Sequence, residues 1–233
     1  MKIALFGGTF DPVHRGHLAV ARAAADKFSL DLVYFAPADI PPHKQQRALT
    51  DFRHRFAMVA LATAEDKRFV PSLIDAPTGK PNYSVETVRR LKRTLGKRDE
   101  LYFLIGIDAF KDIDTWRKPV ELLSLCDFIV VSRPGHSSKD LVKAWSKLML
   151  AQKEDHRRDR ALRHSNDAIS GAAAEIHLLD EVHETVSSTQ IRAAVRKSTA
   201  QLSRLVPAAV AAYIRKEHLY LEGPTRPRTA GAR

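Results

Sequence analysis

The alternation of short apolar segments with amphipathic segments constrains the fold of this chain most strongly. Apolar runs rich in β-branched and aromatic residues predict strands at Lys2–Phe6, Asp31–Pro37, Phe69–Ile74, Glu100–Ile105, Phe128–Ser132 and Glu175–Leu179. Between and after them, amphipathic segments predict helices at Gly16–Phe28, Asp51–Glu65, Ser84–Leu95, Pro119–Cys126, Ser188–Lys197 and Pro207–Glu217. Strands separated by helices imply right-handed crossovers and a parallel sheet buried on both faces. The predicted fold class is α/β, a doubly wound parallel sheet.

One segment interrupts this alternation of strands and helices, and another follows the last helix. Residues 136–173 separate two strands by far more than a typical connection and are polar and dense in charge, so we expect a partly helical insertion there. The last residues, 223–233, are expected to form a disordered tail. The prediction is therefore a single domain over residues 1–222 that carries one polar insertion.

Composition excludes several classes of protein. Hydrophobic residues make up 44% of the 233 residues, enough for a sizeable core, and no apolar run is long enough to span a bilayer. The single cysteine, Cys126, excludes an internal disulfide framework and a multi-cysteine zinc site. These features predict a soluble, cytoplasmic protein with no membrane partner.

The net charge of +11 raises the question of a nucleic-acid partner. Much of the excess lies in two segments that are expected to be peripheral. Residues 139–163 hold eight Lys/Arg against four Asp/Glu, and residues 223–233 add three arginines. A solvated basic surface explains both segments, so nucleic acid is not the expected partner.

The stretch GGTFDPVHRGHL, residues 7–18, joins the first predicted strand to the first predicted helix. In an open α/β sheet, ligands bind beyond the carboxyl ends of the strands. Gly7 and Gly8 let the backbone approach a ligand closely, and a helix start attracts anions through its free amides and its dipole. His14 and His17 lie about one turn apart, so both can face this site and donate hydrogen bonds to phosphate oxygens.

Three other interpretations compete with a phosphate site. A glycine pair after a strand is often only a tight turn, and histidines can simply fill a core. The dinucleotide fingerprint and the Walker A pattern are both absent. A zinc site needs a third ligand, which the spacing of His14 and His17 does not provide, so no metal ligands are predicted. The combination of glycines and histidines at a strand end favours an anion-binding turn.

The stretch SSTQIR, residues 187–192, allows two interpretations. Ser187, Ser188 and Thr189 stand at a helix start, where serine and threonine are ordinary N-caps. The same hydroxyls, with Arg192 one turn further on, could also form a polyphosphate cradle. In isolation the N-cap is the better explanation.

These residues resemble the nucleotidyltransferase superfamily whose core motif is histidine-any-Gly-His, and most of all its bacterial nicotinate-mononucleotide adenylyltransferases. The resemblance continues through PADIPPHK (37–44), NYSVETVRRL (82–91), GIDAFKDIDTW (106–116), VVSRPG (130–135) and SSTQIR. It covers most of residues 1–221 and fails across the insertion and the tail. It implies a Rossmann-like nucleotidyltransferase fold for the domain 1–222.

The family activity implied by the resemblance is transfer of AMP from ATP to nicotinate mononucleotide in NAD biosynthesis, with release of pyrophosphate. By the same resemblance the catalytic residues are His14, His17 and Thr9. The implied ATP site adds Gly7, Gly8, Phe10, Ser187, Ser188, Thr189 and Arg192, where Gly7, Gly8 and Phe10 line the nucleotide pocket with backbone and ring. Because no metal-ligand cluster is visible, Mg²⁺ is expected to arrive with ATP, held by phosphate oxygens and water.

The mononucleotide site is predicted from residues that each have a second explanation. Lys44 could hold the mononucleotide phosphate or be solvated, and Asp108 could accept from a ribose hydroxyl or cap the next segment. Trp116 could support the pyridine ring or only pack. Ser84 is expected both to cap its helix and to contact the nicotinate carboxylate. In contrast, Arg53, His54, Arg55 and Lys80 are expected at the surface.

Two departures from the family pattern bear on the choice of substrate. Arg117 stands where the family often has an aromatic residue or histidine, and Ser84 replaces the commoner threonine. We therefore hypothesise that Arg117 attracts the nicotinate carboxylate. The alternatives are an adenylyltransferase for nicotinamide mononucleotide or pantetheine phosphate, and a nucleotide-sensing or RNA-binding protein on the same fold. A homo-oligomer is possible.

Overall fold

The computed structural model describes residues 1–42, 49–132, 146, 174–180, 182, 186–198 and 201–221. Its strands are β1 (Lys2–Gly8), β2 (Leu32–Pro37), β3 (Phe69–Pro71), β4 (Glu100–Gly106), β5 (Asp127–Val131) and β6 (Ile176–Leu179). Its α-helices are α1 (Arg15–Phe28), α2 (Phe52–Thr63), α3 (Ser84–Lys92), α4 (Ile107–Lys111), α5 (Pro119–Leu125), α6 (Ser188–Lys197), α7 (Leu202–Leu205) and α8 (Ala208–Lys216). A 3₁₀ turn, Ile113–Thr115, follows α4.

The six strands form one sheet in the order β3-β2-β1-β4-β5-β6, and all neighbouring pairs are parallel. This arrangement confirms the predicted α/β class and the doubly wound, Rossmann-like sheet. The strand order reverses between β1 and β4, so the connections that follow these strands leave toward opposite faces of the sheet and a crevice forms between them. The turn after β1 opens into this crevice.

Side chains of β1 explain why the sheet is buried on both faces. Ala4 and Phe6 point into one core cluster, which also contains residues of α1 and α8, whereas Ile3 and Leu5 point into a second cluster with α3 and α5. Successive residues of a strand face opposite sides, so a run that is apolar at every position needs a helical layer on each face. Helices therefore cover β1 on both faces of the sheet.

Most predicted elements are confirmed to within a few residues, and α6 has the predicted bounds. Strand β3 is shorter than predicted because it is an edge strand that reaches Pro71, which lacks an amide donor. The short elements α4 and α7 and the 3₁₀ turn are absent from the prediction. Each has at most five residues, too few to show a periodic pattern.

Several predictions fall on other parts of the chain. Lys44 and the tail 223–233 lie outside the described residues, as does the insertion 136–173 except for Ser146. Among the described residues, no helix is both long and apolar enough to cross a membrane. The single-domain division, the oligomeric state and the cytoplasmic location stay predictions.

Candidate active site

The turn after β1 is shaped by close packing of Gly8 against Phe10. A Cβ atom on Gly8 would lie 3.1 Å from two carbons of the Phe10 ring, which is tighter than an ordinary contact. At Gly7 the corresponding distance, to the ring of Phe103, is an ordinary 3.6 Å. Gly8 therefore lets the chain fold back over its own aromatic side chain at the edge of the crevice.

The ring of Phe10 does not line the nucleotide pocket, which corrects the prediction for its side chain. Only 1% of the residue is exposed, and its ring packs edge-on against Phe6 and His17, with centroids 5.5 Å and 5.0 Å away. An apolar ring of this size is more stable in the core than in a polar cleft. Phe10 supports His17 from below, and only its backbone can line the pocket.

His14 and His17 cap the start of α1 reciprocally. The amide of His17 donates to Nδ1 of His14 over 3.4 Å, and the amide of His14 donates to Nδ1 of His17 over 3.2 Å. The two rings stack with their centroids 3.6 Å apart. A nitrogen that accepts from an amide carries no proton, so each neutral ring carries its proton on Nε2. The cap thereby fixes two N–H donors on neighbouring rings.

The cleft beside these rings suits an anion. His14, Gly16 and His17 line it together with Gly106 and Ser132 at the ends of β4 and β5, and its other walls are the apolar side chains of Phe6, Val20, Val131, Val182 and Val186. The first turn of α1 contains no acidic residue. Helix amides, the positive end of the dipole and imidazole donors therefore converge without a competing carboxylate in that turn.

Helix α6 meets the same turn through two side chains. The Ser188 hydroxyl donates to the Pro12 carbonyl over 2.9 Å, and Nη1 of Arg192 donates to the Asp11 carbonyl. Ser187 forms a capping box with Gln190, which confirms the N-cap interpretation for that residue. The fold thus brings SSTQIR and the histidine turn together, while a polyphosphate cradle stays a prediction.

Arg55 is buried, which corrects its predicted surface position. It is 1% exposed, and its guanidinium donates to the carbonyls of Thr9 (2.9 Å), Ala38 (2.7 Å), Thr50 (2.7 Å) and Asp39 (3.2 Å). Burial lowers the pKa of this guanidinium, while nearby Asp11 opposes that shift. Arg55 therefore ties together the loops that follow β1 and β2.

The residues predicted for the mononucleotide lie on α3, α4 and the segment after the 3₁₀ turn. Asp108 is exposed in the first turn of α4, and Trp116 packs edge-on against Phe103 with centroids 6.2 Å apart. The guanidinium of Arg117 lies 4.6 Å from the centroid of the Tyr83 ring. The N-cap of α3 is Tyr83, and Ser84 is the first helical residue, so the capping role predicted for Ser84 is wrong. Its contact with a carboxylate stays a prediction.

A polar network that the sequence prediction missed holds the start of α3. The backbone amide of Asn82 donates to the Ile40 carbonyl over 3.0 Å, and the backbone amide of Ile40 donates to the side-chain oxygen of Asn82 over 2.9 Å. The carboxylate of Asp75 is buried and accepts from the Thr87 hydroxyl at 2.7 Å and from Arg90. Burial raises the pKa of Asp75, against the opposite effect of those two partners. The network joins the loop after β2 to α3.

Within the described part of the chain, no three His, Cys, Asp or Glu side chains are grouped so that they could hold a metal ion. Imidazoles, amides, hydroxyls and one arginine dominate the crevice instead. This donor set matches the oxygens of a polyphosphate better than it matches a bare cation.

Comparison with known proteins agrees with this geometry. The chain belongs to the cytidylyltransferase-like family, whose model matches residues 5–194. It is 36% identical to a probable nicotinate-nucleotide adenylyltransferase of Solibacter usitatus over 94% of this chain and all of that protein. It is 37% identical to the probable nicotinate-nucleotide adenylyltransferase of Citrifermentans bemidjiense, over 95% of this chain and 99% of that one. These full-length matches place the chain among the nicotinate-nucleotide adenylyltransferases, a group of nucleotidyltransferases in NAD biosynthesis.

A solved structure shares the fold at low sequence identity. The nicotinic acid mononucleotide adenylyltransferase of Plasmodium falciparum, solved as a complex with NaAD, superimposes with a TM-score of 0.69. The match covers 94% of this chain and 97% of that one at 17% identity. The similarity shows that the two chains share one fold. Because the chain is a nucleotidyltransferase, a purely nucleotide-sensing or RNA-binding protein on this fold is no longer the best explanation.

Proposed function

We propose that this enzyme joins ATP and nicotinate mononucleotide to give nicotinate adenine dinucleotide and pyrophosphate. A phosphate oxygen of the mononucleotide attacks the α-phosphorus of ATP, a new P–O–P bond forms, and the bond to the β-phosphate breaks. The nucleophile is already anionic at neutral pH, so no general base is required. Catalysis then depends on alignment and on stabilising negative charge in the transition state. The reciprocal cap of His14 and His17, which fixes two Nε2–H donors, is the observation that carries this proposal.

The ATP phosphates are proposed to lie against the start of α1. His14 and His17 donate to phosphate oxygens, and Thr9 lies beside the reacting phosphates. Backbone of Gly7, Gly8 and Phe10 lines the nucleotide pocket. From α6, a cradle for the polyphosphate is formed by Ser187, Ser188, Thr189 and Arg192.

The mononucleotide is proposed to lie across the crevice, toward α3 and α4. Asp108 accepts from a ribose hydroxyl, and Trp116 lies under the pyridine ring. Ser84 and Arg117 face the nicotinate carboxylate, while Lys44 holds the phosphate. What supports this arrangement is that Ser84 follows β3 while Asp108 and Trp116 follow β4, and that the carboxyl ends of all strands in a parallel sheet share one edge.

Mg²⁺ fits this donor set as a partner of ATP. The described residues offer it no dedicated ligand group, so we propose that phosphate oxygens and water hold it. When bound, it would neutralise part of the polyphosphate charge while pyrophosphate leaves.

A coupled pyrophosphate assay tests the proposal. The purified chain is given Mg²⁺ and ATP with nicotinate mononucleotide, nicotinamide mononucleotide or pantetheine phosphate, and release should be fastest with the first. His17→Ala should lower kcat about a hundredfold, the size expected for loss of a transition-state donor. His54→Ala removes a histidine whose hydrogen-bonding partner is Tyr213, and it should leave kcat unchanged.

Two outcomes would contradict the proposal. Faster release with either other acceptor would assign the substrate differently. Full activity of His17→Ala, with its helical circular dichroism intact, would remove the histidine pair from the reaction.

A further inference from the structure

Asp11 is a buried carboxylate in the turn between β1 and α1, and the reaction proposed above does not use it. It is 5% exposed, and its Oδ1 accepts a 2.8 Å hydrogen bond from the hydroxyl of Tyr220. Its Oδ2 accepts from the Thr50 amide over 3.4 Å. A buried carboxylate needs such partners, because loss of its hydration is costly. Asp11 lies three residues before His14, so what holds Asp11 also holds the histidine turn.

Tyr220 reaches Asp11 because of how α8 ends. His218 adopts a left-handed conformation (φ 51°), its amide donates to the Arg215 carbonyl, and the Leu219 amide donates to the Ile214 carbonyl. This hydrogen-bond pattern is a Schellman motif, which reverses the chain at a helix end. Leu219 and Tyr220 then pack against the core cluster on the α1 side of the sheet. The tyrosine is therefore fixed in place by local structure.

The turn that Tyr220 contacts depends on support from other elements. Phe10 has φ +47°, a left-handed conformation that is unfavourable for a residue with a side chain. The carbonyl before it, of Thr9, is held by Arg55. After it, the Asp11 carbonyl is held by Arg192. Unfavourable backbone conformations of this kind persist where several surrounding contacts hold them. Tyr220 supplies the contact to the Asp11 side chain.

We propose that Tyr220 is a positioning residue for the phosphate site, and that it acts through Asp11. The hydroxyl holds the carboxylate, the carboxylate fixes the Thr9–Pro12 turn, and the turn sets where the two Nε2–H donors point. This inference rests on the proposed function, since it assumes that those donors bind the ATP phosphates. Burial, and after it the charge of Asp11, raises the pKa of the Tyr220 hydroxyl, which therefore remains a protonated donor at the pH of an enzyme assay.

Tyr220→Phe tests the inference because it removes one oxygen and keeps the packed ring. A hydrogen bond to a charged group is lost, which can weaken a binding step about tenfold. We expect kcat/KM for ATP to fall about tenfold, while KM for nicotinate mononucleotide stays the same. Tyr213→Phe is the matched control. Tyr213 lies in α8, and its hydroxyl makes a 2.9 Å hydrogen bond with His54 rather than with the turn, so this variant also loses one hydrogen bond. It should have wild-type kinetics.

Calorimetric binding of a non-hydrolysable ATP analogue separates this inference from the proposed function. Tyr220→Phe should bind the analogue about tenfold more weakly than wild type, whichever acceptor the enzyme uses. Failure of pyrophosphate release in the wild type would contradict the proposed function alone. Wild-type affinity in folded Tyr220→Phe would overturn the inference alone.

A double-mutant cycle tests whether the effect passes through Asp11. If it does, Asp11→Asn and Tyr220→Phe should be non-additive in analogue affinity, since the two groups share one contact. Additive effects of the two substitutions would overturn the inference. It would also be overturned if Tyr220→Phe changed KM equally for both substrates and lowered the melting temperature. The second pattern would mean that Tyr220 only stabilises the fold.

Discussion

Arg117 is the residue that we propose to distinguish an acid from an amide on the substrate. Its guanidinium lies over the face of Tyr83, the N-cap of α3, and its Nε is 3.6 Å from Oε1 of Glu86. The Arg117 side chain is half exposed, so the pairing with Glu86 is screened and weak. The aromatic face holds the guanidinium in place, and we expect its remaining N–H groups to bind a substrate carboxylate.

Arg117→Ala should therefore lower kcat/KM for nicotinate mononucleotide about tenfold, and it should leave the value for nicotinamide mononucleotide unchanged. Parallel kinetics with both acceptors measure the ratio. Arg89→Ala is the control, because Arg89 also pairs with a glutamate, Glu121, but near the end of α3. Equal losses with the acid and the amide, or no loss with either, would contradict this specificity role.

At the residue scale, local sequence signals and long-range contacts differ in what they allow one to predict. His14 and His17 could be placed together because one helical turn separates them. Arg55 could not be recognised, since its four carbonyl partners come from two connections, β1–α1 and β2–α2, and its own helix gives no sign of burial. The burial of the Phe10 ring could not be predicted either, since only the folded turn shows what covers it.

At the element scale, the two ends of α1 differ in how well their residues suit the local backbone conformation. Its start has a reciprocal cap that also serves the proposed reaction. Its end has Ser29 in the left-handed conformation (φ 53°), with the Leu30 amide donating to the Ala25 carbonyl. The Ser29 amide donates to the same carbonyl, so the helix ends on a left-handed residue, a position that glycine adopts without a steric cost.

Ser29→Gly should raise the free energy of unfolding by about 0.5–1 kcal/mol, as relief of left-handed strain exceeds the entropy that glycine adds to the unfolded chain. Urea unfolding measures the change. Ser29→Ala removes the same hydroxyl but keeps the Cβ atom, so it should give no gain. A gain of equal size in the alanine variant would show that the hydroxyl, not the backbone conformation, is responsible.

Element boundaries follow from the sequence where an apolar run or a cap marks them. The bounds of α6 could be predicted because Ser187 is a true capping residue. At α3, serine suggested a cap, yet Tyr83 occupies the cap position and its side chain makes no capping bond. The network of Asp75, Asn82 and Ile40 determines where that helix begins, and these contacts span up to 42 residues. Tertiary contacts therefore override the local cap preference.

At the scale of the whole molecule, ion pairs join α1 to the segment between α2 and β3, on the face of the sheet where α1 and α2 both pack. Arg68 precedes β3 and pairs with Asp66 (3.0 Å) and with Asp26 of α1 (2.6 Å). Arg22 of α1 also reaches Asp66 at 3.8 Å. Hydrogen bonding to Arg68 lowers the pKa of Asp66 below its ordinary value of 3.8. This cluster joins α1 to the segment that leads into β3.

That lowered pKa has a definite consequence for stability against acid. A carboxyl group whose pKa is lower in the folded state stabilises the fold at pH values above its unfolded pKa. The contribution is lost as the pH falls through the pKa of the folded state, because the carboxylate of the ion pair then becomes protonated. The loss for Asp66 therefore begins near pH 3.8 and continues below it.

Asp66→Asn should unfold at lower urea than wild type at about pH 7, by an amount of up to about 1 kcal/mol, the upper range for a solvent-accessible pair. The difference should shrink as the pH is lowered to about 3 and below, where wild-type Asp66 is itself increasingly protonated. Glu65→Gln is the control, since it removes the same charge one residue away at an exposed position. Its difference from wild type should be nearly independent of pH. If the Asp66→Asn difference were equally constant, the ion pairs would not be the source of acid sensitivity, and the general repulsion within a chain of net charge +11 would account for it instead.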